Sequence, residues 1–119
     1  MRFEYIPDAS ADAPLLRIVE FTAAELETLI AAFAQLASPG AEALHLTDPS
    51  AALQVVAETI AGDAGLRRTD GDTFRWSLSP NAWSDVAARA QQLVAAQGSF
   101  QWLDESGQIS VLLSRSGMW

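Results

Sequence analysis

His45 is the only histidine of the chain, set between two leucines in Leu44-His45-Leu46. Imidazole is the side chain best suited to general acid–base work near neutral pH. A nucleophilic triad also needs a serine held in a strained turn, and no G-x-S-x-G occurs. His45 is thus the sole catalytic candidate, and without a partner the expectation is a protein that is not an enzyme. The absence of cysteine removes thiol nucleophiles, disulfides and thiolate metal sites together.

Other constellations point away from catalysis and cofactors. Asp70-Gly71-Asp72 has the opening of a calcium loop but lacks the further ligands and closing glutamate, so turn chemistry accounts for it. Gly62-Asp63-Ala64-Gly65 has neither the lysine nor the helix start of a phosphate-binding loop. Glu20 and Glu58 are the notable strand glutamates, and the second half has no histidine to join them in a metal site. Asp104 and Glu105 adjoin in a turn, where solvation is expected rather than opposition across a cleft. No metal and no cofactor are expected.

Charge carries more information. The net charge is −8, and every basic residue is arginine. Residues 1–65 hold ten acids against Arg2 and Arg17, whereas residues 66–119 balance five acids with five arginines. The whole excess lies in the first half. Such a field repels phosphate backbones and attracts basic surfaces, so nucleic acid is not an expected partner. A basic protein is, as for an inhibitor or immunity-like protein, with Glu25, Glu27, Glu42, Asp48, Glu58 and Asp63 as the expected contact residues. The competing expectation is a small ligand, or a reaction, in a crevice between two similar units.

Those units come from the elements that must position these residues. Residues 15–59 read strand, helix, strand, strand, and residues 74–115 repeat the order about 57 residues later. Thr22 with Glu25 three residues on forms a capping box, and Phe21 can staple to Leu26. In the second unit Ser79 caps, Pro80 takes the first helical position and Leu78 faces Trp83. Helix one puts Leu26, Leu29, Ile30, Phe33, Leu36 and Ala37 on one stripe; helix two does so with Trp83, Val86, Ala87, Ala90, Leu93 and Val94. The outer faces, with Ala31, Ala32 and Gln35 or Ala88, Gln91 and Ala95, allow at most a weak homodimer beside a monomer.

Leu66–Trp76 reads as a hairpin with Arg68 opposite Asp72, Leu66 opposite Phe74 and a positive φ at Gly71. Phe74, Trp76 and Leu78 then face the core, which Trp83 and Trp102 also join. Residues 53–59 suit a strand better than a helix, and Arg2–Ile6 adds a strand beside residues 15–21. Met118 and Trp119 are expected to dock on the body. The expected fold is therefore α+β: one domain over residues 1–119, a mainly antiparallel sheet of six to eight strands, and two helices packed on one face. No apolar run is long enough to span a bilayer and the N-terminal residues do not read as a signal peptide, so the expected compartment is the cytoplasm. Arginine-only basic usage with abundant alanine suggests a GC-rich bacterial source.

Overall fold

The computed structural model describes residues 1–7, 14–47, 53–96 and 100–115. Asp48, Met118 and Trp119 lie outside the described residues. Among the described residues eight strands and two helices follow in the order β1 (Arg2–Ile6), β2 (Leu15–Val19), α1 (Ala23–Leu36), β3 (Leu44–Thr47), β4 (Gln54–Thr59), β5 (Gly65–Asp70), β6 (Thr73–Leu78), α2 (Pro80–Ala96), β7 (Phe100–Asp104) and β8 (Ser110–Ser114).

The helices start where local chemistry says they should. Thr22 Oγ1 accepts from the Glu25 amide at 3.1 Å while Glu25 Oε1 accepts from the Thr22 amide at 2.9 Å, closing the capping box. Residues at helical spacing bury Leu26, Leu29, Phe33 and Leu36. Pro80 opens α2, where its missing N–H is no loss, and Ser79 Oγ accepts from the Ala82 amide at 3.3 Å. The residues from 54 to 59 form a strand, not a helix, with Val55 and Ala57 buried on alternate positions.

The strands build two four-stranded sheets rather than the single sheet expected. Sheet A has the order β1-β2-β8-β7 and sheet B the order β3-β4-β6-β5. Both are mixed: the outer pairs are antiparallel, but β2 runs parallel to β8 and β4 parallel to β6. Read from β5 onward, the second half repeats the first as hairpin, helix, hairpin. Each sheet takes its opening hairpin from one half and its closing hairpin from the other. The repeat thus includes β1 and β5, beyond the limits expected at residues 15 and 74. Strands adjacent in sequence do not fill one sheet because the helix after β2 or β6 carries the chain across to the other one.

The inner faces of both sheets and the buried stripes of both helices meet in one core. Phe3, Leu16, Ile18, Val111 and Leu113 enter it from sheet A; Val55, Ala57, Leu66, Phe74, Trp76 and Leu78 enter from sheet B. Trp76 packs edge-on to Phe33 at 5.5 Å and to Trp83 at 4.8 Å between ring centroids. Trp102 departs from expectation, standing half-buried on the other side of sheet A opposite Leu112.

The hairpin β5–β6 pairs two residues away from the expected register. Leu66 faces Trp76, Arg68 faces Phe74 and Asp70 faces Thr73, so the turn is Gly71-Asp72 and Gly71 has no positive φ. Arg68 instead lays its guanidinium over the Tyr5 ring, 5.5 Å from the centroid. The register is fixed from outside the hairpin. Leu66 must bridge to Ile109, and the Ile109 amide donates to the Leu66 carbonyl at 3.2 Å, joining the two sheets. At that joint Gly65 (φ +73) and Gly107 touch backbone to backbone.

Across sheet A, Glu4 accepts from Arg17 at 3.0 Å and from Arg2 at 2.7 Å. Burial opposes its ionisation, but the hydrogen bond and charge of Arg17, with Arg2, outweigh that and hold its carboxyl below the usual range. Ionised Glu4 therefore stabilises the fold above the unfolded carboxylate value, roughly pH 4, and that contribution is lost as pH falls through the lower folded value. Urea midpoints at pH 7 and pH 3 should show the wild type losing more stability than Glu4→Gln. Parallel losses in the two proteins would mean that the ion pair contributes nothing.

Candidate functional site

Of the six acids expected to meet a partner, three are engaged within the fold. Glu25 closes the α1 capping box and its Oε2 accepts from the Met1 amino group at 2.9 Å, an arrangement that lowers its pKa, the amino hydrogen bond contributing most. Glu58 takes Arg75 Nη1 at 2.7 Å on one oxygen and Ser77 Oγ at 2.6 Å on the other. Asp63 accepts the Ser79 amide at 2.8 Å at the start of α2, and that backbone donor holds its carboxyl below the ordinary value. Glu27 and Glu42 are exposed. The first half's acidity is thus partly the means by which both helix starts and sheet B are fastened.

Asp104 overturns its expected solvation. It is 7% exposed and accepts Trp76 Nε1 at 2.8 Å, the Ser106 amide at 3.0 Å and Ser106 Oγ at 2.7 Å. It serves as a buried anchor rather than a surface acid. Its position before Ser106-Gly107 is the signal of an Asx-type turn; nothing local points to Trp76.

His45 stands on β3 and is exposed, with no hydrogen bond or ion pair to a described residue. General-base catalysis needs an imidazole oriented by a second group, and none performs that task here. Among the described residues no cluster of three histidines or acids is placed to hold a metal. No helix among them is long and apolar enough to cross a membrane.

A recess lies beside His45. It is an open groove of about 660 Å³ between α1 and the edge strand β3, within the range of binding clefts. Ala24, Thr28, Ala31, Ala32 and Gln35 form the helical wall, and Leu44, His45 and Leu46 form the strand wall. Comparison of the two halves shows why it is open. In the second half α2 lies along β7 and Arg89 reaches the Leu103 carbonyl at 3.4 Å. In the first half α1 and β3 stand apart, and the helix presents short side chains to the gap.

The groove belongs to the first half and is not the crevice between units considered from the sequence. Between the halves there is a recess of about 390 Å³, lined by Ala23, Leu26 and Glu27 on one side and by Val94 and Arg115 on the other; a further one of about 120 Å³ between β6, α2 and β7 has room only for a few waters or an ion. Compared with protein-family models, curated proteins and solved structures, the chain matches none.

Proposed function

We propose that this protein is a non-enzymatic binding module that holds a basic segment of a protein partner in the groove between α1 and β3. One observation carries the reading: the interface that α2 and β7 close in the second half is open in the first. Short residues on α1 leave room for apolar side chains of an incoming segment. The edge of β3 offers unpaired backbone groups for a strand to add. Charge supplies the sign of the partner. Glu42, exposed, precedes Leu44 by two residues, while the chain as a whole carries −8. Lysine or arginine flanking a short apolar run fits both demands, and opposite fields speed the encounter.

Selection from a displayed library of random peptides tests this directly, since the groove itself picks its ligand. Sequences recovered on the wild type should share small apolar residues flanked by lysine or arginine. Their affinity should fall about tenfold or more with Ala31→Arg, which fills the groove and adds a like charge, and should fall with salt. Ala88→Arg, on the exposed side of α2, is the control and should bind as the wild type does. An acidic consensus, or equal binding by Ala31→Arg, would reject the reading.

A further inference from the structure

Arg17 of β2 and Arg75 of β6 occupy the same place in their two sheets. Each stands between an edge strand and a parallel neighbour: Arg17 opposite Glu4 and Leu112, Arg75 opposite Arg67 and Val56. In sheet A the edge residue is the arginine's counter-ion, with Arg17 Nη2 3.0 Å from Glu4 Oε2. In sheet B the corresponding residue is a second arginine. Like charges directly opposite on neighbouring strands destabilise a sheet, and a glutamate at this position is the remedy the other half already uses.

The surroundings relieve only one of the two cations. Arg75 Nη1 lies 2.7 Å from Glu58 Oε1, and the other oxygen of Glu58 is taken by Ser77. Arg67 is exposed and has no ion pair with a described residue. Two guanidiniums and one carboxylate leave a local charge of +1 in a chain of −8. Around the pair the face is open, although Ser77 further along β6 is buried: His45, at the far end of the same row across the sheet, and Gln54 are exposed, and Arg75 is 41% exposed. Sheet A differs here too, with Leu15, Val19 and Leu112 buried on its outer side. Departures from local rules are expected where a protein binds something.

We propose that Arg67 and Arg75 form a recognition site for a single carboxylate on the open face of sheet B. Adjacent strands set the two residues about 5 Å apart at the backbone, close enough for one carboxylate to take a hydrogen bond from each guanidinium. The local +1 matches a monoanion; a phosphate dianion would leave excess negative charge in an already negative field. The carboxylate comes from a small organic acid or from an acidic side chain of a peptide. This site is separate from the groove and does not depend on it.

Acetate exchanged for chloride at fixed ionic strength is the probe, read by the arginine Nε–Hε resonances and by thermal unfolding. The Arg67 and Arg75 signals should shift along a saturable curve while those of Arg89 and Arg115 do not. Arg67→Glu should raise the melting temperature in chloride by roughly 2–4 °C, because it replaces repulsion with an ion pair, and should abolish the acetate response. Acetyl-glutamate-amide acting more strongly than acetate assigns a peptide side chain; equal action assigns small acids. Uniform shifts at all four arginines, a stronger response to phosphate, or no stabilisation by Arg67→Glu would overturn the proposal.

Discussion

Trp76→Ala is expected to cost about 4–6 kcal/mol of stability, most of what a domain of this size possesses. Trp76 has no solvent exposure, and its ring meets Phe33 from α1 and Trp83 from α2. Truncation to alanine removes contacts to both helices at once, and large aromatic-to-alanine changes in a core cost about 3–5 kcal/mol. The indole N–H also donates to Asp104. Its loss leaves a buried carboxylate short of one donor, an added cost of about 1 kcal/mol because Ser106 still serves it. Urea denaturation followed by circular dichroism measures the effect, and Trp76→Phe separates its parts. Phenylalanine keeps the ring packing but not the donor and should lose roughly 1–3 kcal/mol. If phenylalanine and alanine cost the same, packing around the indole is not what holds the helices to sheet B.

Gly65→Ala ranks next, at about 2–5 kcal/mol. The φ of +73° costs a side-chain-bearing residue about 1–2 kcal/mol. A Cβ there would also sit 2.3 Å from Gly107 Cα and N, both backbone atoms that cannot rotate away. Relief requires moving the β7–β8 turn, and overpacking of that kind costs about 1–3 kcal/mol. Gly107→Ala meets the clash alone, with the Leu66 amide nitrogen 2.6 Å away, and should cost less. Gly71→Ala has open space and no positive φ, so it should fall within about 0.5 kcal/mol of wild type. Urea midpoints for the three variants give the ranking; a Gly65→Ala protein as stable as Gly71→Ala would mean the joint between the sheets is not closely packed.

What can be read from the sequence is what short spans of chain decide. The capping box at Thr22, the first-turn Pro80, the alternation through Phe74 and Trp76 and the strand at residues 54–59 each depend on residues within a turn or two, and the structure has them. The hairpin register escapes such a reading because the pairing that looks better inside the hairpin, Arg68 opposite Asp72, gives way to one that sets Arg67 against Arg75; the observed register carries the bridge from Leu66 to Ile109, far along the chain. Asp104 escapes it for the same reason, since the tryptophan that buries it lies 28 residues away. The six acids show a further limit. Composition counts charge, but only geometry tells that Glu58 and Asp63 already have donors in the fold while Glu27 and Glu42 face water. The groove is legible only as the charge-poor outer face of Ala31, Ala32 and Gln35; the gap beside β3 is not, because alanines read equally as good helix formers.

The strand order also decides when each sheet can exist during synthesis. Everything sheet B needs lies between residues 44 and 78, so it can assemble once that span has left the ribosome. Sheet A is assembled from the first two strands and the last two, and β2 has no parallel neighbour until β8 has been made. The nascent chain therefore carries the β1–β2 hairpin with an open inner edge until β7 and β8 have been made, the kind of exposed strand that recruits wrong partners. Release of the β7–β8 hairpin closes that gap, and these two strands act as the clasp on a body whose other sheet is already built.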